Sequence, residues 1–202
     1  MTRIKICGIT NLEDAVLASD LGVDALGFVF SKSPRKINAE KAEEIISQMP
    51  PFLSIVGVFV NESDEIVKHV SRRCKLNVLQ FHGDEDPEYL KGFHRKIIKA
   101  FRIKTEADLK TIPNYHVHTY LLDSRVEGKR GGTGVAFDWN LAVKAKTYGR
   151  IILSGGLTPE NVAEAIRVVQ PYAVDVSTGV ESSPGKKDAG KLKAFVEAVH
   201  RA

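Results

Sequence analysis

The chain has 202 residues, 43% hydrophobic and 27% charged, with a formal net charge of +4 and a pI near 9.0. That length suffices for one substantial core, read as a single domain over residues 1–202, and no apolar run approaches the ~20 residues of a bilayer span. Lys and Arg are scattered, with no long basic block or array of stacking aromatics, so a small phosphate or carboxylate ester is favoured over nucleic acid as a partner.

In chain order, strand-like runs rich in Val, Ile and Leu fall at 3–7 (RIKIC), 24–30 (DALGFVF), 53–60 (LSIVGVFV), 76–81 (LNVLQF), 96–101 (KIIKAF), 117–123 (VHTYLLD), 150–156 (RIILSGG) and 172–177 (YAVDVS). Segments of helical period separate them, among them NLEDAVLASDLG, NAEKAEEIISQM, ESDEIVKHVSRR, EDPEYLKGF, EADLKTI and TPENVAEAIRVV, with AGKLKAFVEAVH at the end. Asn11, three residues before Asp14, is placed as a helix cap, and so is Thr158 ahead of Pro159 and Glu160. Strand then helix, eight times, predicts a single closed (β/α)8 TIM barrel, short for its class at about 25 residues per unit. The alternative, an open dinucleotide-binding sheet, lacks its fingerprint: the first turn reads CGITNL, not G-x-G-x-x-G. The first residues run directly into a strand without a secretory pattern, so a cytoplasmic setting is expected.

Active groups of such barrels sit at the C-terminal ends of the strands. There the sequence places Cys7, Gln80 with His82, Asp123 and Asp175. Lys5 and Cys7 share the inward parity of the first strand, so Lys5 and Asp175 are charges inside a barrel, costly unless paired or bound to substrate. Cys7 by itself is open to several readings: core filling, disulfide partner, metal ligand, nucleophile or proton-transfer base. The only other cysteine, Cys74, ends the third helix at the opposite face, roughly 15 Å away by strand length. A bridge tolerates Cα separations up to about 7 Å, so Cys74 is read as a structural thiol. Neither cysteine has zinc-ligand spacing, and no metal site is expected.

Gly155 and Gly156 follow the seventh strand, and Thr178 and Gly179 the eighth. Loops in these two places are the usual phosphate site of the fold, where exposed N–H groups converge on an anion. The segment GVESSPGKK (179–187) superficially resembles a nucleotide-binding P-loop but has Lys187 where Ser or Thr is required. The Gly-rich basic run at 124–134 reads equally as a surface connection or as a lid over the barrel mouth. Trp139 is read as packing at a helix start, and His82 as either a site residue or a satisfied barrel histidine.

The motifs KICGIT, GFVFSKSPRKI, VGVFVN, LQFHGDE, LLDSR, GGTGVAFDW, ILSGGLTPENV and VDVSTGVESSPGKKD resemble phosphoribosylanthranilate isomerase, of tryptophan biosynthesis, along essentially the whole chain. The resemblance implies an Amadori rearrangement of a sugar phosphate carrying an anthranilate, without cofactor or metal. It makes Asp123 the general acid, with a raised pKa, and Cys7 the general base, at least partly thiolate. It makes Arg35 the bidentate holder of the anthranilate carboxylate, and Gln80, His82 and Asp175 pocket residues that orient the sugar or the amine. Monomer and homodimer are both compatible with the sequence. A synthase or lyase acting on an indole phosphate would call for Lys or Glu at strand ends that here carry Cys7 and Asp123. A non-catalytic barrel would have no need of Cys7, Asp123 and both glycine loops.

Overall fold

The fold is seen in a computed structural model whose described residues are 1–117, 119–123 and 139–202. Eight strands, β1 (Arg3–Cys7), β2 (Ala25–Val29), β3 (Ser54–Phe59), β4 (Val78–Phe81), β5 (Lys96–Arg102), β6 (Thr119–Asp123), β7 (Arg150–Ser154) and β8 (Ala173–Val176), close in that order into one barrel. All neighbours pair in parallel, and β1 and β8 complete the ring with Lys5 opposite Asp175. Every predicted strand is therefore present, shifted at its ends by no more than a residue or two. The 124–134 run falls among residues outside those described.

Strand parity separates two cores, because successive side chains leave a strand on opposite faces. Ile4, Ile6, Leu26, Phe28, Leu79, Phe81, Leu122 and Val174 face outward into the larger core, shared with the helices. Val56, Ile98, Ala100, Leu121, Ile152 and Ala173 fill the barrel interior, with Ala25 and Val78 at its edge. Toward the C-terminal ends of the strands this interior turns polar, with Lys5, Gln80 and Asp175 all buried.

The helices are α1 (Leu12–Asp20), α2 (Ala39–Ile46), α3 (Asp64–Arg73), α4 (Pro87–Leu90), α5 (Trp139–Ala145), α6 (Val162–Val169) and α7 (Ala189–Arg201). Asn11 caps α1 as expected, its side-chain oxygen accepting from the Asp14 N–H at 2.8 Å. Trp139 opens α5 and packs against the outer core. Two local expectations are corrected. Thr158 does not cap α6: its carbonyl accepts from Asn161 and Val162 in a separate turn, Asn161 turns its side chain back to the Thr158 N–H, and the helix begins at Val162. The EADLKTI segment forms a 3-10 helix over Glu106–Asn114, in which Pro113 lacks the N–H that a longer α-helix would use. Both cysteines are free, and the Cys74 thiol, at the end of α3, points to the Ala39 carbonyl at 3.4 Å.

Candidate active site

Cys7 ends β1 on the inward parity and is 8% exposed. Two residues earlier, Lys5 reaches Asp175 of β8 across the closing seam, Nζ to Oδ1 at 2.7 Å, with both side chains buried. Ser154, at the end of β7, donates to the other oxygen of Asp175 at 3.1 Å. The two interior charges expected from the sequence thus neutralise each other, as burial requires. Burial opposes the charge on Lys5, but Asp175 and the neighbouring Cys7 outweigh it and hold the ammonium above its ordinary range. For Cys7 the balance goes the other way. Burial pushes the thiol up, Lys5 and Lys187 pull it down, Asp175 adds to the rise, and the net direction is upward. The direction is upward because the low-polarity surroundings penalise the anion more than the two lysines favour it.

On the far wall, β4 exits through His82 and β6 ends at Asp123. His82 Nε2 lies 3.3 Å from Asp123 Oδ2, and Gln80 Nε2 lies 3.1 Å from His82 Nδ1. A Gln80 amide that donates to Nδ1 leaves the proton on Nε2, facing the Asp123 carboxyl. The other end of that amide, Gln80 Oε1, is buried without a hydrogen-bond partner among the described residues. The turn that carries His82 is pinned below. Glu85 accepts two bonds from the Gly83 N–H and one from Asn61, and pairs with the buried Lys99 of β5 at 2.8 Å, while Lys99 donates to the Gly83 carbonyl at 2.6 Å. A cleft of about 350 Å³ opens beside His82, between the ends of β3, β4 and β5. A larger cavity of about 890 Å³ lies at the opposite, N-terminal end of the barrel, away from the thiol and the carboxyl.

The third wall follows β2 and β8. Segment 179–187, superficially P-loop-like, is a hairpin of β9 (Glu181–Ser183) and β10 (Lys186–Lys187). Its Lys187 is buried and donates to the Cys7 carbonyl at 2.6 Å and to Glu181 at 3.1 Å. Glu181 also holds Arg35 along one edge, accepting from Nε at 2.7 Å and from Nη2 at 2.5 Å, while Nη2 donates to the Thr178 hydroxyl as well. Burial works against the Glu181 carboxylate, but Arg35 and Lys187 keep it below its ordinary range. The Nε–Nη2 edge of the guanidinium is thus occupied by Glu181. Gly155 and Gly156 follow β7 with φ of +84° and +68°, the left-handed region that glycine enters without steric cost. Thr178 and Gly179 form a single 3-10 turn after β8. A methyl group on Gly179 would overlap the Leu157 carbonyl oxygen, so glycine is what lets the two loops touch.

The structure brings the ten residues singled out from the sequence to one rim of the barrel, since all lie at or just beyond the C-terminal ends of parallel strands. Sequence reading left Lys99, Glu85, Glu181 and Lys187 outside the site. All four are buried charges, but their partners lie on other elements, and no local spacing marks them.

A closed parallel barrel that collects a thiol, a carboxyl and an imidazole at its C-terminal rim belongs to the class of (β/α)8-barrel enzymes. Comparison with known proteins narrows this. Residues 4–198 match the family described as N-(5'phosphoribosyl)anthranilate (PRA) isomerase. A Trichlorobacter lovleyi protein of that name is 54% identical over 198 residues, covering 97% of each chain. A Moorella thermoacetica relative is 52% identical over the whole of this chain and 91% of its own. The crystal structure of phosphoribosyl anthranilate isomerase from Thermotoga maritima superposes with a TM-score of 0.95 at 45% identity, each chain fully covered. Another solved isomerase, in complex with reduced 1-(o-carboxyphenylamino)-1-deoxyribulose 5-phosphate, gives 0.91 at 43%, again over both full chains. The chain belongs to the N-(5'-phosphoribosyl)anthranilate isomerase family, isomerases of tryptophan biosynthesis.

Proposed function

We propose that this chain converts N-(5'-phosphoribosyl)anthranilate into 1-(2-carboxyphenylamino)-1-deoxyribulose 5-phosphate with its own side chains as acid and base. Asp123 gives a proton to the ring oxygen as the C1–O bond breaks, and the anthranilate nitrogen lone pair closes a C1=N bond. The positive nitrogen acidifies the hydrogen on C2. Cys7, as thiolate, takes that hydrogen as a proton; the C–H pair becomes a C1=C2 bond and the C=N pair returns to nitrogen. Addition of a proton at C1 and loss of the one on the C2 hydroxyl give the ketone.

What carries this reading is that Cys7 and Asp123 end β1 and β6 on the same rim, on opposite sides of the mouth and both on the inward parity. Supporting roles follow from charge. The turns at Gly155, Gly156, Thr178 and Gly179 offer backbone N–H groups to the phosphate. Arg35, steadied along one edge by Glu181, meets the anthranilate carboxylate with its remaining amino group. The Gln80 oxygen, without a hydrogen-bond partner among the described residues, suits a sugar hydroxyl, and Asp175 the substrate amine. Two free cysteines suit a reducing compartment such as the cytoplasm.

The test follows consumption of phosphoribosylanthranilate by pure protein after metal chelation. Turnover that survives chelation and is lost in both Cys7→Ser and Asp123→Asn is the expected result. An inactive wild type, or either variant working at the wild-type rate, overturns the assignment.

A further inference from the structure

Lys5 has no part in the scheme above, yet it is a buried cation placed against the atom that must become an anion. From the chain of contacts around it we infer that Lys5 is a positioning residue for the Cys7 base: its ammonium, fixed by Asp175, is the counter-charge that makes the thiolate accessible at working pH. The inference rests on the reading of Cys7 as the base and adds the group that enables it.

Three observations converge. Lys5 is 3% exposed and its nitrogen is tied to Asp175 at 2.7 Å, so it cannot swing out to water. That nitrogen and the Cys7 sulfur stand on the same inward face of β1, both close to Gly27 of β2. Room for both atoms is kept by Gly27 on the adjoining strand. A Cβ there would stand 2.9 Å from the Cys7 sulfur and 3.1 Å from Lys5 Nζ, so any side chain at this position crowds both. In a site that excludes water, an adjacent cation counts for far more than it does in solvent.

Among the described residues, the charged groups facing Cys7 from each packed element are few. β1 supplies Lys5, β8 supplies Asp175, and β10 supplies Lys187. The segment after β2 supplies Arg35. Lys187 and Arg35 are both engaged by Glu181 of β9. Lys5 is likewise paired, but it is the cation that shares with the sulfur both its own strand and the space beside Gly27. In the thiol form the proton stays on sulfur. It leaves to solvent as the thiolate forms, and Lys5 remains an ammonium before and after.

The experiment reads the ionisation of Cys7 directly, by carbon-13 NMR of the cysteine Cβ in labelled protein, with the signal assigned against Cys7→Ser. Lys5→Met is expected to raise the midpoint by about one pH unit or more, which is about tenfold less thiolate at any pH below it. A signal that has not titrated by the highest pH at which the protein stays folded counts as a rise. Because Lys5→Met strands the buried Asp175 charge, Lys5→Met/Asp175→Asn removes both charges and decides the matter if the single variant does not fold. Its midpoint is expected to rise too, by less, since the acidic neighbour that opposes the thiolate is also gone. In the kinetics, kcat of Lys5→Met at neutral pH falls with the thiolate fraction and recovers as pH is raised, with KM little changed; a packing defect shows no such recovery. A Cys7 midpoint at or below the wild-type value in the folded variants overturns the inference. If instead Cys7→Ser keeps its activity, the base assignment fails while the Lys5 coupling measured by NMR still stands.

Discussion

The imidazole of His82 and the carboxyl of Asp123 meet at 3.3 Å although they leave the barrel on β4 and β6, with the whole of β5 between them. They meet because the barrel is closed and tilted, so that inward side chains of alternate strands share a level. A carboxyl oriented by an imidazole can be held toward a sugar ring oxygen rather than swinging into solvent. Asp123→Asn keeps the shape and removes the proton, and is expected to lower kcat by about 10²- to 10⁴-fold. His82→Ala, which removes only the orienting group, should cost less, about 10- to 100-fold. Steady-state kinetics with circular dichroism as a folding control check the order; a His82 loss equal to or greater than that of Asp123 contradicts it.

The upward displacement of the Cys7 thiol has a consequence for pH dependence. A base that must lose a proton before it works is more available as pH rises. kcat/KM is therefore expected to climb from neutral pH into the alkaline range, until the fold becomes limiting. Cys7→Ser should lower kcat by about 10²- to 10⁴-fold and leave KM within a few-fold. A kcat/KM profile that is flat from about pH 6 to 9 would show that the thiol is already ionised.

Glu181 joins Arg35 to the buried Lys187, so substitutions along this line should separate binding from stability. Arg35→Ala removes the proposed carboxylate contact and is expected chiefly to raise KM, by about tenfold or more. Glu181→Gln leaves the Lys187 charge unpaired and is expected to cost about 3–5 kcal/mol of stability, read by denaturant unfolding. The sign with pH follows from the direction of its shift. The folded carboxylate sits below its unfolded value, so its contribution is present above the unfolded pKa and is lost as pH falls through the folded one. Wild type should lose stability through that acid window more steeply than Glu181→Gln.

The Cys74 thiol gives the opposite sign. Burial pushes it to about 11, so the stability it contributes is full below its unfolded value and drains away as pH rises toward 11. Cys74→Ala should flatten the alkaline fall in stability between about pH 9 and 11, with activity at neutral pH retained. Thermal melts of both proteins across that range check it; parallel curves would assign the alkaline loss to other groups.

Gly179 approaches the Leu157 carbonyl too closely for any side chain. Gly179→Ala must part the loops after β7 and β8, and is expected to raise KM for the phosphorylated substrate about tenfold while kcat falls less. An unchanged KM would place the phosphate elsewhere.

Eight runs of Val, Ile and Leu with helical segments between them were enough to specify the barrel, because strand and helix periods are local properties of the chain. Parity within β1 was enough to turn Lys5 and Cys7 inward together, and strand ends were enough to bring Cys7, His82 and Asp123 to one rim. The pairings are another matter. Lys5 finds Asp175 across 170 positions, Lys187 reaches the Cys7 carbonyl across 180, and Glu181 takes one edge of Arg35 across 146. Which buried charge neutralises which depends on the register with which β8 closes against β1 and on how the hairpin at 181–187 folds over the rim, and neither is encoded in the spacing of neighbouring residues. The same holds for the protonation of Cys7. Its thiol is set by burial against two lysines and an aspartate that only the closed barrel brings together, so the sequence could locate the sulfur while the tertiary structure sets the direction in which its titration is displaced.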